Sequence, residues 1–284
     1  MGDVAMTVPV VYSLAHQYPD LRISVLSRPF AKAFFSHMPK NVDFIAADLK
    51  NEYKGIKGLN QLYGRLKAKQ PTAIADFHDV LRSKYIRTRF TLCGYKTAHI
   101  DKHKNGKRKL CRQKDKVMEQ QPTSFQNYAE VLSKLGYPID LSFTSLFANG
   151  GNQLSQLPNI IGEKNNGERW IGIAPFAAHN GKMYPKEKME EVVKVLSTEY
   201  SNLRIFFFGG GKEEKQILNT WATKYKGCTC ASEVLHGLNE ELVLISHLDT
   251  MISMDSANMH LASLVGTRVV SIWGATHPYC GFLG

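Results

Sequence analysis

The chain has 284 residues, of which 43% are hydrophobic, and a formal net charge of +11 at pH 7. Because a single hydrophobic core stops growing at about 250–300 residues, two domains are expected. No stretch approaches the ~20 consecutive apolar residues of a membrane-spanning helix, and the opening residues lack a signal-sequence pattern, so a cytoplasmic protein is expected.

The first half of the chain alternates strand-like runs with helical segments, the pattern of a parallel α/β sheet. Val8, Val11 and Leu14 recur at helical spacing and predict an early helix. Strands are predicted at 21–27, 42–48 and 72–77. A helix is predicted from Ser124, its N-cap, to Gly136. Because the early helix has no strand before it and the chain ends without a closing helix, we expect the first N-terminal strand and the C-terminal helices to be missing.

The second half repeats the alternation after a linker rich in Gly and Asn at 147–168. Strands are predicted at 170–177, 203–211, 250–254 and 268–274, and helices at 185–200, from 212, at 239–248 and after Asp255. The interpretation is two Rossmann-like domains, 1–155 and 156–284. Ligands of such sheets bind beyond the carboxyl ends of the strands, so the site is expected in a cleft between the domains.

Basic residues are concentrated in one stretch of the first half. They are Arg82, Lys84, Arg87, Arg89, Lys96, Lys102, Lys104, Lys107, Arg108, Lys109, Arg112, Lys114 and Lys116. Such a run is typical of a solvated loop and helix face. It is also typical of a surface that binds a polyanion or an anionic membrane face. Interleaved aromatic residues and RNA-binding signatures are absent from it, which disfavours nucleic acid as a partner.

The cysteines do not predict a disulfide framework or a zinc site. They are Cys93, Cys111, Cys228, Cys230 and Cys280, an odd number without a Cys-x-x-Cys pair. We expect reduced thiols.

Polar residues interrupt two apolar runs at Asp255, Ser256 and His260. Asp255 follows a predicted strand and Ser256 precedes a short helix that Gly266 ends. The free N–H groups and positive dipole end of such a helix favour a phosphate, which His260 could also reach. Alternatively, Asp255 and Ser256 only cap the helix and His260 is a buried structural residue.

Two further strand ends carry candidate ligand-binding residues. Ala177 and Ala178 follow the strand at 170–177 and lead to Lys182, which can neutralise a phosphate or be an ordinary surface lysine. Gly209, Gly210 and Glu213 lie at a strand-to-helix turn that allows close backbone approach. The turn lacks a full G-x-G-x-x-G, which weakens an oxidoreductase interpretation.

Together these loops resemble the C-terminal domain of glycosyltransferase family 9, the lipopolysaccharide heptosyltransferases. The motif D-S-x-x-M-H-L-A-x-x-x-G-T-x-V-V-x-x-W-G-x-T-x-P comprises Asp255, Ser256, Met259, His260, Leu261, Ala262, Gly266, Thr267, Val269, Val270, Trp273, Gly274, Thr276 and Pro278. The opening "GDVAMTVPVVYSLAHQYPDLRISVLS" and "TAIADFHDVLRS" are similar to the family's N-terminal segments. The resemblance therefore covers nearly the whole chain.

The resemblance implies a GT-B fold, with an acceptor-binding domain at 1–155 and a nucleotide-sugar-binding domain at 156–284. It implies inverting transfer of a heptose from an ADP-sugar to a lipopolysaccharide core or related surface glycan, with Asp3 as the general base and Lys182 at the donor phosphates. The implied donor site comprises Ala177, Ala178, Lys182, Gly209, Gly210, Glu213, Asp255, Ser256, Ala257 and His260. No Asp-x-Asp occurs, so no divalent metal is expected. The implied nucleotide-sugar is a substrate, and no cofactor is expected.

The implied acceptor is an anionic glycolipid, which gives the basic stretch a partner at the inner face of the plasma membrane. Asp76, His78 and Arg82 could line the acceptor site, or only hold a loop and a helix face. The family often has hydroxyl residues at the positions of Ala177 and Ala178, and a glycine at Ala257, so the donor sugar stays open. A truncated, non-catalytic nucleotide-binding remnant and a polyanion-binding module are the alternatives.

Overall fold

A computed structural model describes residues 1–283. Its strands are β1 (Ile23–Ser27), β2 (Val42–Ala46), β3 (Ala73–Asp76), β4 (Lys96–His99), β5 (Arg169–Ala174), β6 (Leu203–Phe207), β7 (Cys228–Cys230), β8 (Thr250–Met254) and β9 (Val269–Ile272). Its α-helices are α1 (Gly2–Ala5), α2 (Val8–Gln17), α3 (Gly55–Ala68), α4 (Leu81–Leu92), α5 (Lys104–Leu110), α6 (Ser124–Lys134), α7 (Lys186–Glu199), α8 (Lys212–Lys224), α9 (Ala231–Val234), α10 (Leu238–Ser246) and α11 (Ala257–Leu264).

The chain forms two compact units. The C-terminal unit comprises Met1–Ala5, Leu110–Val117 and the chain from Thr144 onward, and the N-terminal unit comprises Met6–Lys109 and Met118–Phe143. This grouping assigns several short segments differently from the boundary expected after residue 155. Among residues 1–283, no helix combines the length and apolar character needed to cross a membrane.

A five-stranded parallel sheet organises the C-terminal unit, in the order β7-β6-β5-β8-β9. β5 pairs with β6 on one side, where Ile171 lies opposite Ile205, and with β8 on the other, where Ile173 lies opposite Ile252. The strand order therefore reverses at β5. In open α/β sheets, ligands bind at the carboxyl ends of the strands beside such a reversal.

The core of this unit lies between the sheet and its helices. Ile173, Phe207 and Val193 are fully buried there and pack in one cluster with Trp221. Trp170 is also fully buried, and the guanidinium of Arg204 lies 5.1 Å from the centre of its ring. Each large side chain removed from water contributes roughly 1.5–3 kcal/mol, so this core fixes the positions of the strand ends.

In the N-terminal unit the strands form two parallel pairs, β1 with β2 and β3 with β4. One core cluster joins α2 to α6 through residues such as Val10 and Val131. A second cluster contains Leu62 and Phe90, from α3 and α4. Phe77, in the loop that follows β3 and contains the predicted acceptor residues, packs against the first of these clusters.

Most of the predicted elements are confirmed, with ends that differ by a few residues. The early helix forms as α2, and its Val8, Val11 and Leu14 are buried. Gly136 ends α6 in the left-handed conformation, as predicted. The predicted N-cap of that helix is wrong, because the hydroxyl of Thr123, not Ser124, accepts the N–H of Gln126.

Candidate functional site

The loops that follow β5 and β8 bring the predicted phosphate-binding residues together. Lys182 lies in a 3₁₀ turn (Asn180–Lys182) eight residues beyond the end of β5, and Asp255 comes directly after β8. Because β5 and β8 are neighbours at the reversal of strand order, their carboxyl ends meet at the same place. The site therefore lies where this sheet topology favours a ligand.

Lys182, Asp255 and Thr276 form a hydrogen-bonded cluster, which we call the lysine cluster. The Lys182 Nζ donates to Asp255 Oδ2 over 2.6 Å, and the Thr276 hydroxyl donates to the same oxygen over 2.5 Å. The Asp255 side chain is 5% exposed and that of Lys182 is 23% exposed. The carboxylate is thus buried behind a lysine whose ammonium still reaches solvent, which leaves N–H groups free to meet an anion.

Backbone contacts hold the loop of Lys182 against the chain after β9. The Ala275 N–H donates to the Gly181 carbonyl over 2.7 Å. A methyl group on Gly274 would lie 2.3 Å from that carbonyl oxygen, so only glycine allows the two loops to approach this closely. The lysine cluster is therefore fixed by backbone as well as side-chain contacts.

The start of α11 differs from the prediction. Ser256 is the N-cap residue, but its side chain makes no capping hydrogen bond to the helix and lies 3.3 Å from the Ser253 hydroxyl instead. Asp255 is engaged in the lysine cluster and is not a cap either. Without a side-chain cap, the first N–H groups of α11 remain available to an anionic ligand.

His260 lies in α11 and is 7% exposed. Burial lowers its pKa to about 4, against the opposing effects of Asp255 and Asp3, so the imidazole is neutral at pH 7. Its Nδ1 is buried without a hydrogen-bond partner. A buried polar nitrogen without a partner is costly, so this atom is a ready contact for a bound ligand, as a hydrogen-bonding group and not as a charge.

Helix α1 packs against α11, which brings the predicted base towards the predicted donor loop. A methyl group on Gly2 would lie 2.5 Å from the His260 ring, so Gly2 permits this packing. Asp3 is exposed and close enough to His260 to favour its protonated form. The structure thus brings Asp3, His260 and Asp255 into one neighbourhood of the C-terminal unit.

The glycine-rich turn after β6 is already occupied by the protein's own side chains. The Gly209 N–H donates to the Ser232 hydroxyl over 2.8 Å, and the Gly210 N–H donates to Glu214 Oε2 over 2.7 Å. Glu213 is exposed to solvent. Glu214, rather than the predicted Glu213, therefore organises this turn, and a ligand would have to displace it to reach the Gly210 N–H.

The three alanines of the predicted donor site have no side-chain group that can bind a ligand by hydrogen bonds. Ala177 is half-buried and Ala178 is exposed after β5, and Ala257 is half-buried at the first position of α11. Their methyl side chains cannot donate or accept hydrogen bonds. Contacts to a ligand at these positions are limited to the backbone and to packing.

The predicted acceptor residues lie after β3, where Asp76 is buried. Its Oδ1 accepts the N–H groups of His78 and Asp79, and its Oδ2 accepts Arg87 Nη1 over 2.9 Å. Burial raises the pKa of Asp79, but hydrogen bonds from Arg87 and a neighbouring lysine outweigh this and lower it overall. His78 and Arg82 are exposed. Asp76 thus holds this loop, with Arg87 as its charged partner.

Two functional candidates emerge that the sequence did not single out as site residues. Thr276 belonged to the recognised motif, but nothing in the sequence linked it to Asp255. Arg87 was one of many basic residues, and the only signal for it was a pair of acids, Asp76 and Asp79, at the end of a strand.

Among residues 1–283, no group of three or more His, Cys, Asp or Glu side chains is arranged to hold a metal ion. That the chemistry proceeds without a metal or cofactor stays a prediction.

A family model described as glycosyltransferase family 9 (heptosyltransferase) matches residues 60–280. Lipopolysaccharide heptosyltransferase 1 of Campylobacter coli is 26% identical over 153 residues, which are 52% of this chain and 44% of that protein. The match therefore spans less than half the length of that relative.

Solved structures share the fold. The E. coli heptosyltransferase WaaC with ADP has a TM-score of 0.71 and 15% identity, covering 100% of this chain and 87% of that one. A glycosyl transferase of family 9 from Veillonella parvula has a TM-score of 0.73 and 18% identity, covering 98% and 80%. These similarities show an α/β GT-B fold.

Proposed function

Because the chain belongs to glycosyltransferase family 9, the heptosyltransferase family, we propose that it is an inverting glycosyltransferase. The proposed donor is an ADP-sugar carrying heptose, and the proposed acceptor is a lipopolysaccharide core or related surface glycan. ADP in the structure of the E. coli heptosyltransferase supports the nucleotide, and the name of the Campylobacter coli relative supports the acceptor class.

The observation that carries this proposal is the lysine cluster beside the reversal of strand order. A departing nucleoside diphosphate gains negative charge, which a preorganised cation stabilises. The ammonium of Lys182 is held at that place by Asp255, whose Oδ2 also accepts the hydroxyl of Thr276. The N–H groups at the start of α11 add a second positive group, and the partnerless nitrogen of His260 adds a hydrogen-bonding atom.

Asp3 is the proposed general base. An inverting transfer needs a carboxylate that takes the proton of the acceptor hydroxyl as this oxygen attacks the anomeric carbon. Asp3 is exposed on α1 and electrostatically coupled to His260, so it lies near the proposed donor site while remaining accessible to an acceptor. In this proposal Lys182 and the start of α11 take the place of a metal ion.

The proposed anionic acceptor has a candidate partner in the basic segment, which we define as residues 102–116. It contains Lys102, Lys104, Lys107, Arg108, Lys109, Arg112, Lys114 and Lys116. Lys104, Arg108, Arg112 and Lys114 are among its exposed members. Each basic residue near an anionic membrane surface contributes about 1 kcal/mol to binding, so peripheral contact with the inner face of the plasma membrane is part of the proposal.

Calorimetric titration with ADP, UDP and GDP tests the donor site. Wild-type protein should prefer ADP, and Lys182→Ala should weaken ADP binding by about 10- to 100-fold, the effect of losing one charged hydrogen bond. Asp255→Ala should also weaken it, because the lysine loses the carboxylate that positions it. Lys186→Ala, an exposed lysine at the start of α7, is the matched control and should bind ADP normally.

Preference for another nucleotide would retain the fold and overturn the ADP assignment. Equal ADP affinity in wild type and Lys182→Ala would overturn the site. Turnover is a separate measurement: ADP release from ADP-heptose that depends on an acceptor and is abolished in Asp3→Asn would support the transferase, whereas ADP binding without turnover would favour the non-catalytic alternative.

A further inference from the structure

Two cysteines of the C-terminal unit lie side by side although they are 169 residues apart in the sequence. The Sγ atoms of Cys111 and Cys280 are 3.6 Å apart. Cys111 follows α5 and is exposed, whereas Cys280 ends the 3₁₀ turn Pro278–Cys280 and is only 2% exposed. Both are free thiols. A disulfide bond requires about 2.0 Å, a distance that a modest movement of the irregular chain around Cys111 would close.

The two thiols differ in exposure to solvent, and lysine side chains lie near them. Burial raises the pKa of the Cys111 thiol, and its contact with Cys280 raises it further, while Lys116 and Lys182 act in the opposite direction. Cys111 lies within the basic segment, whose charge attracts an anionic reagent. An incoming oxidant therefore meets Cys111 first, and Cys280 is placed behind it.

We propose that Cys111 and Cys280 are a redox modification site that closes to a disulfide by exchange with an anionic low-molecular-weight disulfide. The Cys111 thiolate attacks one sulfur of the reagent, forms a mixed disulfide and releases one thiol. The Cys280 thiolate then attacks the Cys111 sulfur and releases the second thiol. Both protein thiols are oxidised, one reagent disulfide is reduced to two thiols, and the two protons pass to the released thiolates.

The bond connects the basic segment to the chain that carries the lysine cluster. Cys280 follows Thr276 by four residues, and the Thr276 hydroxyl holds Asp255. Closing the disulfide therefore fixes the exposed segment around Arg112 beside the loop after β9. The covalent chemistry does not depend on the proposed function, whereas any effect on nucleotide binding rests on it.

Incubation with oxidised glutathione, followed by intact-mass measurement and peptide mapping, tests the proposal. Wild-type protein should lose the mass of two hydrogen atoms, and mapping should join the peptides of Cys111 and Cys280. Cys280→Ser should instead gain one glutathionyl group on Cys111, because the resolving thiol is absent. Cys93→Ser, which removes an exposed cysteine of the N-terminal unit, should form the same cross-link between Cys111 and Cys280 as wild type does.

Limited trypsin digestion gives a second measurement on wild-type protein alone. Cleavage after Arg112, Lys114 or Lys116 lies between the two cysteines, so the oxidised fragments should remain joined until a reductant is added. Five thiols that remain alkylatable after incubation, a cross-link between another pair, or Cys111 that stays glutathionylated in wild type would each overturn the proposal. None of these results depends on whether the protein binds ADP.

Discussion

Replacing His260 with glutamine should change how the stability of the C-terminal unit depends on pH. The folded-state pKa of His260 is about 4, whereas its ordinary value is 6.5, and burial is the main cause. Between these values the unfolded chain binds a proton that the folded chain does not. The wild-type protein therefore loses stability as the pH falls through this range, by about 2 kcal/mol between about pH 7.5 and pH 5. Glutamine has no proton to bind, so His260→Gln lacks this loss.

Glu241 in α10 acts in the opposite direction and must be measured with it. Burial raises its folded-state pKa from 4.5 to about 7. Its contribution is fully present below pH 4.5 and is lost as the pH rises through 7, so the wild-type protein gains about 2 kcal/mol from Glu241 on acidification to about pH 5. The two effects nearly cancel in wild type. We therefore expect stability to rise towards acid in His260→Gln and to fall towards acid in Glu241→Gln.

Urea denaturation followed by tryptophan fluorescence measures this directly. All three tryptophans, Trp170, Trp221 and Trp273, belong to the C-terminal unit, so the signal reports that unit. Subtracting the wild-type free energy of unfolding at each pH cancels the contribution of the surface carboxylates, which is the same in all the proteins. A difference between His260→Gln and wild type that is constant from about pH 7.5 to pH 5 would show that the histidine is not held neutral by burial, and would refute the reasoning.

Three other substitutions have definite expectations. Arg87→Leu leaves the buried carboxylate of Asp76 unpaired and should lower the free energy of unfolding by about 3 kcal/mol, most of which Asp76→Asn should restore in the double variant. Gly274→Ala should drive the Gly181 carbonyl away and weaken ADP binding by about tenfold or more, measured by calorimetry. Gly2→Ala should crowd the histidine ring behind it and destabilise the C-terminal unit by about 1–3 kcal/mol, measured by urea denaturation.

Gly64→Ala is a control for both glycine substitutions, because nothing lies within 4 Å of the added methyl group in α3. It should leave ADP binding unchanged and raise stability by up to about 1 kcal/mol. Normal ADP affinity in Gly274→Ala would mean that the contact between the two loops does not position the lysine. Full stability of Arg87→Leu would mean that Asp76 is satisfied by its backbone contacts alone.

The sequence predicted the strands that are rich in apolar residues and missed two that are not. β5, β6 and β8 lie inside the five-stranded sheet, and their apolar runs are visible without a structure. β7 is a three-residue edge strand. β4 belongs to a two-stranded sheet with β3 and reads Lys-Thr-Ala-His. Edge strands bury less surface, so their sequences show a weaker pattern of apolar residues.

Some contacts of the candidate site could be predicted from the sequence, and others depend on tertiary structure. That Lys182 and Asp255 lie close together was predictable, because each follows a strand end and parallel topology brings such ends together. The bond from Thr276 to Asp255 and the bond from Arg87 to Asp76 depend on how a loop and a helix return across the fold. Whether a polar side chain such as Ser256 caps a helix or turns to a neighbour is likewise decided by tertiary contacts, which local sequence does not encode.

The reversal of strand order also sets when the lysine cluster can form during folding. Lys182 and Asp255 are separated by 73 residues, and their contact requires β8 to pair with β5 after the chain has passed through β6 and β7. Contacts between residues so far apart in sequence carry a high entropic cost of loop closure, so they form slowly. A chain that stalls before β8 pairs with β5 can keep many of its helices and yet lack this cluster. A ligand that binds the cluster, as proposed, would therefore favour molecules with a completed sheet over partly folded ones.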